Sequence, residues 1–479
     1  MVRRDVFIPA AGLKGRRGSF SRAASLAALV AGCVLLTQPV SGETISGALA
    51  RAYGYNPDLN AQRASGRATD ENLPSALSGY RPSVSVTGDA GYTYAESQPI
   101  GGTTTNRSTQ PRGAGLSVTQ NLWNGNRTAN GVSRAEAQIL QAREQIRSVE
   151  QNILSSAATN YMNVLRDTAI LNLRRNNVEV LEQQLRQTRD RFQVGEVTRT
   201  DVAQSEASLA QGQADAFSAQ SLLQTSIANF RQVIGVEPIN LQPARPLDKL
   251  VPASLPAAIS LSELEHPLIQ STRHNVDAAA LNAKVIQGQL YPTIGLTGSL
   301  SRRFDVTSSS NAVRSDTLGA SIVTSLTVPI YEGGAVYAAV RQAKELLSQA
   351  QLQSDLQREQ IRALVVSNWG AWSNSSAVIQ AAQAQVRAAE IALNGVREEA
   401  KVGQRTTLDV LNAQQLLLNA RVQLVTAQRD RVVGSYTLLA AVGRLSASTL
   451  GLQVVKYDPT VHFDQVKGKW IGTGTPDGR

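Results

Sequence analysis

Val194-Gly195-Glu196-Val197-Thr198-Arg199-Thr200-Asp201-Val202 returns 208 positions later as Val402-Gly403-Gln404-Arg405-Thr406-Thr407-Leu408-Asp409-Val410. In both copies a long polar-apolar helical pattern runs into Val-Gly and restarts within a few residues at Thr-x-x-Asp. Glycine just past the last helical residue is a C-terminal stop. Threonine with an acid three positions on is a capping-box start. Each copy therefore reads as the tip of a helical hairpin.

Outward from these tips the pattern stays helical over long distances. From about Thr128 to Gln193 there is no proline and one glycine, Gly131. Ile139, Ile146 and Ile153 are spaced by seven, as are Leu171, Val178, Leu185 and Phe192. Such spacing marks a helix packed along a supercoiled seam, here roughly 100 Å long at 1.5 Å per residue. Ile379, Val386, Leu393 and Ala400 repeat the ladder before the second tip. After each tip a shorter helical stretch ends at a glycine, Gly235 or Gly443.

Ahead of each long helix lies a pair of alternating segments. Strand-like runs cover 82–98 and 112–123, with a Gly/Thr/Asn-rich loop expected from Gly101 to Gly113, and then 292–306 and 317–330. Val84, Val86, Leu116, Val118, Ile294, Leu296, Ile322, Leu326 and Val328 supply the apolar positions. A membrane-crossing strand needs about 9–11 residues with apolar side chains alternating outward, but a soluble sandwich shows the same alternation. Tyr92, Tyr94, Trp123, Phe304 and Tyr331 are candidate membrane-interface aromatics. Four strands cannot close a barrel, because about eight is the practical minimum. A membrane reading therefore requires oligomerisation, and a trimer supplies twelve.

The halves match beyond their tips. Asn56-Pro57 corresponds to His266-Pro267, Tyr80-Arg-Pro-Ser-Val84 to Leu290-Tyr-Pro-Thr-Ile294, and Thr119 to Gly125 to Thr327 to Gly333. From Arg189 to Gly235 the alignment onto Arg397 to Gly443 is gapless, with 10 identities in 47. The expected organisation is a signal peptide (1–42), a first repeat (43–235), a Pro-rich linker (236–258), a second repeat (259–443) and a C-terminal extension (444–479). Each repeat is read as helix, β-hairpin (82–123 or 292–330), long helix, tip (194–201 or 402–409) and helix.

Residues 1–42 carry a basic stretch ending at Arg22, an apolar core from Ala23 to Leu36, and small residues at Val40-Ser41-Gly42 before Glu43. That core is shorter than the ~20 residues that span a bilayer. Val30-Ala31-Gly32-Cys33 also resembles a lipobox, so Cys33 is either acylated or removed with the leader. Cys33 is the single cysteine, which excludes an internal disulfide and a Cys-based zinc site. His266, His274 and His462 form no metal-ligand spacing, and no phosphate loop or nucleophile motif occurs. The sequence argues against an enzyme and calls for no cofactor. The formal charge of +10 falls to about +5 without the leader, and no Lys/Arg stripe interleaves with aromatics, so nucleic acid is not an expected partner.

The ordered set of Asn56-Pro-x-Leu59, Pro82-Ser-Val84, Leu122-Trp-Asn-Gly125, Ile330-Tyr-Glu-Gly-Gly334 and the paired Val-Gly-x-x-Thr-x-x-Asp-Val tips resembles the TolC family of outer-membrane channels. The resemblance covers essentially everything after the leader. The ending, Leu450-Gly-Leu to Tyr457-Asp-Pro and Lys469-Trp-Ile-Gly472, looks like the subgroup serving type I secretion. The resemblance implies an α+β membrane protein: a homotrimer with a twelve-stranded transmembrane β-barrel, four strands per chain, set in outer-membrane lipid of a Gram-negative cell. A long periplasmic α-helical barrel would continue it. The implied function is an exit channel of a tripartite export system, for secreted proteins or drugs. Its implied partners are a periplasmic adaptor protein and an inner-membrane transporter of ABC or RND type.

In that family the tips bind the adaptor and close the periplasmic entrance. The resemblance implies adaptor docking at Val194, Gly195, Thr198, Val402, Gly403 and Thr406, and a gate built from Asp409, Arg405, Asn412 and Asp201. Asp409 and Arg405 match the family's ring acid and its basic neighbour. A second ring acid falls on Asn412 and a gating tyrosine on Ala400, both departures. The ring would then carry three charges per trimer instead of six, with weaker trapping of cations. Asp201 and Asp409 are also expected to cap their helices. A periplasmic coiled-coil rod would have no need of the strands, and a diffusion porin would leave the long helices unexplained.

Overall fold

Asn56 both ends one helix and starts the next. Its Oδ1 accepts the amides of Asp58 and Leu59, and Pro57 sits in the first turn, where a missing N–H costs nothing. In the computed structural model, which describes residues 42–308 and 313–476, this joint separates α1 (Ile45–Tyr55) from α2 (Pro57–Asp70). The helical stretch ahead of the first strand is thus divided, and α3 (Asn72–Leu77) completes it. The leader reading and Cys33 lie outside the described residues.

Arg81-Pro82 ends helical character, and β1 (Ser83–Ala90), β2 (Thr93–Ser97) and β3 (Thr105–Trp123) follow. Then come α4 (Arg127–Gln193), α5 (Arg199–Ile234), α6 (Leu255–Glu265), α7 (Pro267–Gln287), β4 (Thr293–Ser308), β5 (Val313–Thr327), α8 (Ala335–Lys401), α9 (Thr407–Val442) and α10 (Pro459–Val466). The long helices α4 and α8 are both 67 residues, and α5 and α9 are both 36.

The strands form one antiparallel sheet in the order β1-β3-β4-β5, with β2 also on β3. Ala90 pairs with Arg112 and Thr93 with Thr109, so β1 and β2 are successive pieces of a single lane. The sheet therefore has four lanes. The loop expected from Gly101 to Gly113 is corrected: β3 already begins at Thr105 and runs through Pro111. Proline is tolerated there because its ladder position faces the break between β1 and β2. Only its carbonyl is used, accepting the Gly91 amide at 2.9 Å.

The main core joins α1, α2, α4, the ends of α5 and α9, and the chain after α9. Leu49, Leu59, Leu154, Tyr161, Phe230, Ile234, Leu439 and Leu445 are fully buried in it. The Tyr161 hydroxyl lies 2.6 and 2.7 Å from the carbonyls of Glu43 and Gln242, so the polar end of this buried ring is satisfied.

Towards the tips, α4 packs on α5 and α8 on α9. Ile139, Ile146, Ile153, Leu171 and Leu185 of the α4 ladder are buried, whereas Phe192 at its end is exposed. The facing seam of α5 is made of small residues at the same spacing: Ser205, Gly212, Ala219 and Ser226 are all buried. A Cβ on Gly212 would come within 2.7 Å of Leu181 Cδ1, so even alanine there would require the end of the Leu181 side chain to move. Arg174–Asp215 and Arg189–Glu206 link α4 to α5 beside this seam, and Arg421–Glu390 links α9 to α8.

The C-terminal segment runs back along α2 towards the start of β1. The Tyr53 hydroxyl accepts the Tyr457 amide, His462 Nδ1 lies 2.9 Å from Asp70 Oδ2, and Arg81 donates to the Lys469 carbonyl beneath the Trp470 ring. Among the described residues no helix is long and apolar enough to cross a membrane.

Candidate functional site

At the first tip Val194 ends α4 and Gly195 takes φ +80°, letting the amides of Gly195 and Glu196 return to the carbonyls of Phe192 and Arg191. The second tip repeats this: Gly403 has φ +80°, and the amides of Gly403 and Gln404 reach Ala400 and Glu399. Open space surrounds both glycines, so left-handed backbone alone requires them. Val194 and Val402 are each 72% exposed, an unusual cost for valine at a turn.

The restart is a reciprocal capping box in both copies. Thr198 Oγ1 accepts the Asp201 amide, and Asp201 Oδ2 accepts both the amide and the hydroxyl of Thr198. Thr406 and Asp409 make the same three bonds, at 3.2, 3.0 and 2.9 Å. The Thr406 amide, then its hydroxyl, holds the Asp409 carboxyl below the usual carboxylate range. For Asp201 the Thr198 hydroxyl leads and the amide follows.

Arg405 donates its Nε to Glu399 at 2.8 Å rather than to Asp409. At the first tip Arg191 donates to Glu196 at 3.0 Å. Each turn is thus stapled by an ion pair between the end of the long helix and the turn, with the signs reversed between copies. The opposite charges flanking each Val-Gly were visible in the sequence, but their pairing depends on how the turn folds back. Asn412 is exposed, one turn beyond Asp409 on α9, while Ala400 packs among Leu393, Val410 and Ala413 in the apolar plug behind the tip.

Between the two hairpins, α4, α8 and α9 leave a groove of about 360 Å³ lined by Asn176, Asn177, Asn394, Arg397, Gln414 and Arg421. Gln414 is 7% exposed, and its Oε1 has no hydrogen-bond partner among the described residues. Nothing in the sequence pattern singled out this groove, because its residues come from three helices far apart in the chain.

The sheet has two chemically distinct faces. Register places Val84, Val118, Gly298 and Ile322 in one row and Val86, Leu116, Leu300 and Ala320 in the next, all on one face. The opposite face carries Ser85, Ser117, Ser299 and Ser321, then Thr119, Thr297 and Ser325, among others. Ser85 bonds Ser117 and Ser299 bonds Ser321 across it. Trp123 belongs by simple alternation to the polar face. A register shift between Asn121 and Trp123 instead sets it opposite Ile294, on the apolar face.

Phe304 and Tyr94 lie on that same face towards the loop end, and Tyr92 sits between β1 and β2 in line with them. Tyr331 follows β5, near the helices. Ile294 and Phe304 thus stand ten residues apart on β4, about 34 Å along the strand.

The family model for outer membrane efflux proteins matches residues 48–236 and 258–444. The chain is 41% identical over 455 residues to the outer membrane efflux protein BepC of Brucella suis, covering 95% of this chain and 97% of that one. It is 26% identical over 416 residues to the outer membrane protein TolC of Escherichia coli, covering 82% and 81%. The fold superposes on the CmeC outer membrane channel of Campylobacter jejuni with a TM-score of 0.73 at 18% identity, covering 88% and 89%. Motif order, amphipathic sheet and long helical hairpins thus converge: the chain belongs to the outer membrane efflux protein family, the TolC family, and resides in the Gram-negative outer membrane.

Proposed function

We propose that three copies of this chain form the outer-membrane exit channel of a tripartite export system. In this reading the four lanes of each copy join edge to edge into a twelve-stranded barrel, with the apolar face towards lipid and the Ser/Thr face towards a water-filled lumen. The single observation that carries it is the sheet itself. It presents large apolar side chains, Ile322 at 81% exposed and Val86 at 77%, on one face, and among the described residues its edges at β1/β2 and β5 are unpaired. Unpaired edges are not tolerated in lipid, and four lanes are too few to close. The equal helix lengths in each half and the two segments matched by the family model support the internal duplication.

The helical hairpins then extend into the periplasm, and the six tips of a trimer ring its entrance. Asp409, with Arg405, Asn412 and Asp201 nearby in sequence or symmetry, forms the gate. Val194, Gly195, Thr198, Val402, Gly403 and Thr406 offer the docking surface for a periplasmic adaptor, which brings an inner-membrane transporter of ABC or RND type. Exposed valines at both tips and the polar groove beside Gln414 support docking there. The signal peptide over 1–42 and the domain limits given above belong to the same reading. A wide polar tube selects little, so the transporter chooses the cargo.

Electrophoresis of outer-membrane fractions tests the assembly. A trimer-sized band that collapses to the monomer on heating supports the reading, and a monomeric, soluble periplasmic product contradicts it.

A further inference from the structure

At its loop end the apolar face of the sheet turns basic. Arg302 lies one row beyond Leu300, Arg112 one row further beside Phe304, and Arg314 one row further again beside Val306. All three share the face that carries Leu116 and Ile322, and all are exposed. Arg112 is a diagonal neighbour of Arg302 on the adjacent strand, about 7–8 Å away, and Arg314 stands on the far side of β4 one row beyond Arg112, so the long stems of all three border one stretch of this face.

Asp316, opposite Phe304, is their acidic neighbour, and it is taken by Arg302 through bonds of 3.2 and 2.8 Å. Arg112 and Arg314 make no ion pair among the described residues. The other charged groups nearby do not change this. Arg303 and Asp305 pair with each other on the polar face, and Glu96 lies further out, accepting from Tyr94.

Beneath this patch the same face has a hollow. Gly298 and Ala320 are small where their neighbours Leu116, Val118, Leu300 and Ile322 are large, leaving a shallow apolar depression of about 530 Å³. Two unneutralised guanidinium groups above an apolar hollow, with Tyr92 and Phe304 at the same level, match one kind of occupant: a molecule with phosphate above and acyl chains below. Guanidinium groups bind phosphate through paired, charge-assisted bonds.

We propose that Arg112, Arg314 and the Gly298/Ala320 hollow form a binding site for a phosphorylated, acylated glycolipid of the outer leaflet. The inference rests on the barrel reading, which turns this face to lipid and its loop end outwards. It goes beyond that reading by assigning a specific lipid chemistry to specific residues.

The test uses the full-length channel purified in mild detergent, with bound lipid measured by native mass spectrometry after incubation with lipid A, dephosphorylated lipid A or phosphatidylglycerol. Wild type is expected to retain lipid A about tenfold over the dephosphorylated form, a discrimination within reach of two charge-assisted contacts. Arg112→Gln with Arg314→Gln brings that ratio to about one, Arg112→Lys with Arg314→Lys, which keeps the charge but not the paired bonds, gives a ratio between the two, and Gly298→Val lowers retention of lipid A by filling the hollow. Equal retention of phosphatidylglycerol by wild type, or an unchanged ratio in the double glutamine variant, overturns the proposal. Planar-bilayer conductance of the same preparations separates the two readings. A conducting channel without lipid A selectivity sinks this inference alone, and loss of conductance in wild type sinks the barrel reading beneath it.

Discussion

Arg405 reaches back across the second tip to Glu399, 2.8 Å away, and leaves Asp409 to cap α9 with Thr406. The acid proposed for the gate is therefore not neutralised by a direct bond to its own arginine. Its charge remains available to whatever passes the tip.

That arrangement separates charge from capping. In Asp409→Asn the side-chain oxygen still accepts the Thr406 amide, so the helix start survives while the charge is lost. Single-channel recording is expected to show higher conductance or weaker block by multivalent cations, with an unchanged circular-dichroism melt. Thr406→Ala instead removes the cap and is expected to loosen the tip, seen as faster amide exchange over 403–411. Unchanged conductance and block in Asp409→Asn would remove Asp409 from the gate.

The same mutation has opposite signs at two neighbouring glycines. Gly403→Ala forces alanine to φ +80° and costs about 1 kcal/mol of local stability, raising amide exchange at the tip. Gly395→Ala, in the exposed interior of α8 with open space around it, gains about 0.5–1 kcal/mol. Local hydrogen exchange of the two variants gives the comparison. Equal effects would mean that the turn is not left-handed.

His266 occupies the position of Asn56 in the other half and, like it, caps a helix, its Nδ1 accepting the Leu268 amide at 3.2 Å. Burial, followed by the charge of Arg147, pushes its pKa down to about 4. The folded imidazole is neutral, while the unfolded one protonates near pH 6.5. Its contribution is therefore present above pH 6.5 and is lost as pH falls from there towards 4, by about 3 kcal/mol at most. Replacing it with the asparagine of the other half should flatten that part of the melting-temperature profile. Parallel profiles for wild type and His266→Asn would show that His266 titrates normally.

The two faces of β5 can be told apart by one charge. Ile322→Arg places a cation on the apolar face and is expected to cost about 2–4 kcal/mol, while Ser321→Arg next to it, on the polar face, is expected to fold normally. Urea unfolding from lipid vesicles measures both. Similar losses in the two variants would contradict the assignment of faces.

Much of this was readable from residue order because local rules act alone at these sites. Val-Gly followed by Thr-x-x-Asp stops and restarts a helix whatever surrounds it, and Asn56-Pro57 does so by another route. Alternation likewise placed Val84, Leu116 and Ile322 on one face before any pairing was known. The remainder depended on partners. Pro111 is acceptable within β3 because the neighbouring lane breaks beside it, and Trp123 changes face because of a register shift against β4. Ser205, Gly212, Ala219 and Ser226 show the needed spacing, but small polar residues do not read as a seam until α4 is seen against them. The Glu399–Arg405 pair joins residues that only the folded turn brings together.

The most direct measurement is single-channel conductance of the purified full-length trimer in a planar bilayer. Discrete, uniform conductance steps that increase in Asp409→Asn are predicted for a barrel continued by a helical tube and gated at its tips. A folded, heat-modifiable trimer that inserts into the bilayer yet never conducts, in wild type or in the variant, would contradict the central claim.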